Sequence, residues 1–97
     1  MTFFIVNVEI PDQHARTDYD QYIAKVKPIV EGFGGRYIVR SENVTLISGT
    51  QKPDRVIVVE FENREALDRC FSSPEYRAVK SLRENSVKTT ALIVEQA

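Results

Sequence analysis

A chain of 97 residues with 42% apolar and 28% charged side chains has the length and balance of one globular domain, spanning residues 1–97. Thirteen basic against fourteen acidic residues leave a net charge of −1 with no Lys/Arg run. That sets nucleic acid aside as a partner, because phosphate binding needs clustered positive charge. No stretch nears the ~20 apolar residues that span a bilayer, so no membrane role is expected.

The N-terminus, Met1-Thr2-Phe3-Phe4, carries neither a basic leader nor a small-residue cleavage site. A single cysteine, Cys70, closes no intrachain disulfide, and no CxxC or histidine cluster marks a metal site. The expectation is a reducing cytoplasm, with no metal and no cofactor.

Phe3 to Ile10 alternates as a strand, with Phe4, Val6, Val8 and Ile10 on one face and Phe3 and Ile5 on the other. Pro11 ends it, since proline cannot donate to a ladder. A polar loop over 12–16 is expected next, and Thr17 then reads as a helix start with Asp20 three residues on. Tyr19, Tyr22, Ile23, Val26, Ile29, Val30 and Phe33 recur at i, i+3, i+4, i+7 spacing, which predicts one amphipathic helix. Pro28 inside it predicts a bend, and Gly32, Gly34 and Gly35 end it, one as a left-handed cap.

Arg36 to Arg40 and Val44 to Ser48 both read as strand. They form either a hairpin turning at Glu42-Asn43 or one long strand broken by a bulge near Ser41–Asn43. The broken strand is preferred because it keeps strands and helices alternating. Arg55–Phe61 is the central strand. It is apolar on both faces, with Ile57, Val59 and Phe61 one way and Val56 and Val58 the other, interrupted by Glu60. Asn63 caps a helix carrying Ala66, Leu67, Cys70 and Phe71. Ser73 and Pro74 restart it, with Tyr76, Val79 and Leu82 as the inward stripe. Lys88 to Glu95 is the last strand.

The order β–α–β–β–α–β is the split βαβ, or ferredoxin-like, arrangement of the α+β class. Right-handed crossovers place both helices on one face of a four-stranded antiparallel sheet. The other face is left bare, although the first, third and last strands are apolar on both sides. An exposed apolar sheet face marks an interface, and a homodimer with two sheets packed face to face is the economical solution.

The residues Gly34-Gly35-Arg36-Tyr37-Ile38-Val39-Arg40, Val59-Glu60-Phe61 and Ser73-Pro74-Glu75-Tyr76, with Tyr22, Lys27-Pro28-Ile29 and Arg83, resemble the bacterial domain-of-unknown-function family numbered 1330. The resemblance covers nearly the whole chain and implies a dimeric α/β-barrel. Relatives in that superfamily include cofactor-free monooxygenases, muconolactone-isomerase-like enzymes and haem-dependent members. The family itself has no settled activity. Ser41-Glu42-Asn43 stands where relatives carry glycines.

Several residues offer chemistry. His14 alone has an unperturbed pKa near neutrality, and it is expected at the mouth of a helix–sheet cleft as a general base, or else as a solvated histidine. Arg36 and Arg40 fall on one face of their strand. Arg40 suits a carboxylate or enolate, or pairs with Glu60. Glu60, if buried, needs such a partner or a raised pKa, which suits a base. Tyr22 and Tyr76 lie on inward stripes with hydroxyls to offer, and Arg83 follows Tyr76 by two turns on the same face. Cys70 reads as a buried inert thiol.

The expected cleft is therefore lined by Tyr22, Arg40, Tyr76 and Arg83 as ligand-binding residues, with Glu60 and His14 as acid–base candidates. The favoured function is binding of a small organic molecule. A cofactor-independent enzyme of monooxygenase or isomerase type and a non-catalytic dimeric module are the alternatives.

Overall fold

The computed structural model describes residues 1–96. Four strands and three helices follow one another as β1 (Thr2–Glu9), α1 (Gln13–Gly32), β2 (Arg36–Ser41), β3 (Arg55–Phe61), α2 (Arg64–Phe71), α3 (Pro74–Glu84) and β4 (Lys88–Glu95). The sheet is ordered β2-β3-β1-β4 and every neighbouring pair is antiparallel. This is the ferredoxin-like fold, its second connection divided into α2 and α3 at Ser72-Ser73. No helix among the described residues is long and apolar enough to cross a membrane.

Strand register separates the two faces. Val6 pairs with Ile57 and Ala91, and Phe4 with Val59 and Ile93, so these side chains share the face that the helices cover. Val8, Ile57, Val59 and Phe61 are buried there against Tyr19, Tyr22, Val26 and Val30 of α1 and Leu67 and Cys70 of α2. The opposite face carries an unbroken apolar row across all four strands, Val39–Val58–Ile5–Leu92. Leu92 is 51% exposed and Val94, beside Phe3, 45%.

Four expectations change. α1 begins at Gln13 rather than Thr17, because the Asp12 carboxylate accepts from the Ala15 N–H at 2.8 Å and caps the helix. The polar stretch 12–16 is therefore a cap and first turn, and the Thr17 hydroxyl donates back to the Gln13 carbonyl. Residues 44–48 form no strand. β2 is an edge strand whose ladder with β3 ends at Ser41–Val56, so Val44–Ser48 have no backbone to pair with. The bulge does exist, but at Ile38, between Tyr37 and Val39, rather than near Ser41–Asn43. That extra residue inverts everything beyond it, so Arg36 and Arg40 lie on opposite faces instead of sharing one.

The predicted caps elsewhere are in place. Asn63 and Ser73 accept from the N–H groups of Ala66 and Tyr76. α1 continues through Pro28 and closes in a Schellman motif, with Gly35 N–H to Val30 O at 2.9 Å and Gly34 N–H to Glu31 O at 3.0 Å. Gly34 takes φ +86°, the left-handed position where a side chain is disfavoured. Gly35 is needed for space, since a Cβ there would lie 2.5 Å from Val30 Cγ1 and 3.0 Å from the Phe61 ring. Gly35→Ala is expected to lower stability by about 1–3 kcal/mol, the ordinary cost of overpacking a tight core. A shifted urea midpoint at unchanged slope measures it, and an unmoved midpoint contradicts it.

Candidate ligand-binding site

Between α1, α3 and the covered sheet face lies a cavity of about 310 Å³. The sheet supplies its floor through Phe4, Val6, Ile57, Val59, Thr89 and Ala91, and α1 one wall through Tyr19, Tyr22, Ile23, Val26 and Val30. Phe71 of α2, Tyr37 of β2 and Tyr76, Lys80 and Arg83 of α3 complete it. Helical periodicity explains the wall, because 19, 22, 23, 26 and 30 form one stripe. Aromatic contacts hold the walls apart. Tyr19 stacks on Tyr22 with centroids 5.9 Å apart, and Phe71 meets Tyr76 edge-on at 4.9 Å.

The polar groups in this apolar space come from Tyr22, Tyr76, Arg83, Lys80 and Thr89. The Tyr22 hydroxyl donates to the Tyr76 oxygen at 3.2 Å, joining α1 to α3 inside the core. Arg83 Nη1 donates to Thr89 Oγ1 at 2.9 Å, which fixes the guanidinium against β4. Arg83 Nε, like Arg55 Nε, is buried and has no hydrogen-bond partner among the described residues. Burial opposes the charge of Arg83, yet the nearby oxygens of Tyr76 and Tyr22 outweigh it and hold its pKa above the usual value.

The structure thus brings together three of the expected residues, Tyr22, Tyr76 and Arg83. Arg40 stands beside the cavity rather than in it. Its guanidinium lies 5.1 Å from the centroid of Tyr37, whose ring lines the cavity. Glu60 is on the other face of the sheet, where Arg36, not Arg40, bonds it at 3.0 Å. The position of Arg40 follows from the bulge at Ile38, whereas Glu60 keeps the alternation of β3 that sets it with Val56 and Val58. His14 is on α1 with its side chain 90% exposed, 3.6 Å from the Asp18 carboxylate, because the helix starts four residues earlier than its spacing implied. Neither Glu60 nor His14 lines the cavity.

Lys80, Thr89, Tyr19 and Tyr37 escaped the sequence reading as site residues. Lys80 was within reach of it, since it stands three residues before Arg83 on the same helix face. Thr89 was not, because only the β1–β4 register turns it inward beside Val8. Glu42 binds Arg16 and reaches Arg55 at 3.5 Å, tying the stretch after β2 to α1 and β3. The hydrogen bond from Arg16 holds the Glu42 carboxyl below its usual pKa. Cys70 is fully buried, and burial raises its thiol to about 11.

The profile of a family described as domain of unknown function (DUF1330) matches residues 1–97, and the chain belongs to that family. No curated protein matches the sequence significantly. Among solved structures the chain is similar to a dimeric ferredoxin-like protein of unknown function from Jannaschia sp. CCS1, at 13% identity over 98% of this chain and 98% of that chain, with a TM-score of 0.81. A protein of unknown function from Rhodopseudomonas palustris is similar at 16% identity over 99% of this chain and 82% of that chain, TM-score 0.80. SnoaB, a cofactor-independent oxygenase from Streptomyces nogalater, is similar at 8% identity over 99% of this chain and 92% of that chain, TM-score 0.71. At such identities the likeness is one of fold.

Burial also governs the tyrosines. It raises Tyr19 and Tyr37 from 10.0 to about 12 and Tyr22 higher still. Above pH 10 the unfolded chain ionises these phenols while the folded protein keeps its protons, so unfolding releases protons and stability falls as pH rises. Between about pH 10 and 12 the urea midpoint is expected to drop steadily, and below pH 10 these groups contribute no slope. Tyrosinate absorbance in the native protein should lag that of the urea-unfolded chain. Coincident titrations would contradict this.

Proposed function

We propose that this member of the DUF1330 family binds a small organic molecule of largely apolar body in the cavity between α1, α3 and the sheet, and that it works as a homodimer joined through its open sheet faces. The cavity carries the first part. Its volume is at the lower end of the range for ligand pockets, and its lining is apolar except for a few convergent polar groups, the pattern of a small-molecule site. A packed core of this size ordinarily leaves few voids larger than a water molecule.

The lining favours binding over proton abstraction. Its titratable side chains are Tyr19, Tyr22, Tyr37, Tyr76, Lys80 and Arg83, with no carboxylate or imidazole among the described residues. Phenols held at about 12 keep their protons at neutral pH, so they act there as hydrogen-bond donors and not as bases. The likeness to an oxygenase is too distant to add a reaction. A cytoplasmic location completes the reading, supported by the unpaired, buried Cys70.

The dimer is supported by the open face. The row Val39–Val58–Ile5–Leu92, with Phe3 and Val94 beside it, is too continuous an apolar surface to suit water. The Arg36–Glu60 pair sits on that face next to Phe3 and would fix the register of two sheets. The similar protein from Jannaschia sp. CCS1 is described as dimeric.

Ligand binding is tested with 2-naphthamide, a neutral probe, in wild type and in Ala91→Trp, which fills the cavity from its sheet floor. Saturation at about a hundred times Kd is expected to add ~2.7 kcal/mol of stability to the wild type and nothing to the variant. Equal thermal shifts in the two proteins would overturn the site assignment. Light scattering at micromolar concentration is expected to give twice the 11.1 kDa chain mass for the wild type and the chain mass for Leu92→Glu. A monomeric wild type would overturn the dimer.

A further inference from the structure

Resting on the cavity as a ligand site, we infer that its ligand is an organic anion, a carboxylate or enolate on an apolar body, seated with its charged end on Arg83. The cavity lining holds two cations, Lys80 and Arg83, and among the described residues no acid to balance them. Several other cations on this protein have carboxylate partners. Arg16 and Arg55 share Glu42, Arg36 has Glu60, Lys27 has Glu31 and Arg64 has Asp68. Arg83 is different. It is half-buried, and its hydrogen bond goes to the neutral Thr89 hydroxyl rather than to a carboxylate. A half-buried charge without a counter-charge is costly, and an anion beside it removes that cost.

The proton inventory points the same way. In the tyrosine pair one hydroxyl proton is used internally, from Tyr22 to Tyr76, and the Tyr76 proton is left to donate. The Arg83 guanidinium, the Tyr76 hydroxyl and the Lys80 ammonium are therefore three donor groups at one cavity, whose wall holds no carboxylate among the described residues. A group rich in acceptors and negatively charged meets all three, and the planar guanidinium suits a carboxylate or enolate in particular. Thr89 is a positioning residue, since by accepting from Nη1 it holds the guanidinium against β4 at the cavity wall. Phe4, Val26, Val59 and Phe71 surround the rest of the space, so the body of the ligand is apolar.

The test pairs two probes of one shape, 2-naphthoate and the neutral 2-naphthamide, titrated calorimetrically into wild type, Arg83→Met and Arg83→Lys. The wild type is expected to bind naphthoate roughly ten- to a hundredfold more tightly than naphthamide, as hydrogen bonds to a charged group imply. Arg83→Met should erase that preference. Arg83→Lys keeps the charge but loses the planar guanidinium fork, so a several-fold weakening for naphthoate alone is expected even if the methionine variant fails to fold. Equal binding of the two probes by wild type, or a naphthoate preference unchanged in either folded variant, would overturn the anion while leaving the cavity as a ligand site. Failure of both probes to bind the wild type would overturn the ligand site itself, and the anion with it.

Discussion

β1 pairs antiparallel with both β3 and β4, and most of what this molecule offers follows from that double pairing. Once β1 is fixed in the centre, the period of two sends Phe4, Val6 and Val8 to the helices and Phe3 and Ile5 to the opposite side, with their cross-strand neighbours in step. Three helices are enough to cover one face only. The cavity and the bare apolar row are thus two results of one constraint: a sheet apolar on both faces and layered on one.

The covered face is itself unevenly filled. α2 lies against β1 and β3 through Leu67 and Cys70, both essentially inaccessible to water. α1 and α3 instead meet through rings and hydroxyls, Tyr22 to Tyr76, with Phe71 set edge-on against Tyr76. Rings that touch at their edges span a gap without closing it, whereas branched aliphatic side chains interdigitate. The space left over Val59 and Ala91 is the cavity, and the side chains that prop it open are also those that bring polar atoms into it.

The single extra residue at Ile38 redistributes charge between the two faces. Without it Arg36 and Arg40 would both follow the strand's alternation to one side. With it, Arg36 stays with Glu60 on the bare face, and Arg40 crosses over to the ring of Tyr37. An acid in an oily strand is thereby explained as half of an ion pair on the bare apolar face, not as a base in a cleft. Its side chain is 17% exposed and is bonded by a guanidinium that reaches outward, 73% exposed.

Patterns short in range were fully written in the chain. The stripe Tyr19-Tyr22-Val26-Val30, the caps Asn63 and Ser73, the glycine stop after α1 and the two-faced β3 each rest on spacing within a dozen residues, and such spacing directly determines which side chains share a face. From them the fold, the apolar second face and the inward position of Tyr22, Tyr76 and Arg83 could be read. Other features depended on which backbone lay alongside. The bulge at Ile38, the absence of a strand at 44–48 and the turn of Thr89 toward Arg83 are set by pairing with β3 and β1, residues distant in sequence. The fate of Arg40 and the partner of Glu60 were decided there too, and that of His14 by the Asp12 cap competing with Thr17 for the start of one helix. Local periodicity fixes which side a residue takes within its own element. Only tertiary pairing fixes where that element's register begins and which neighbour it meets.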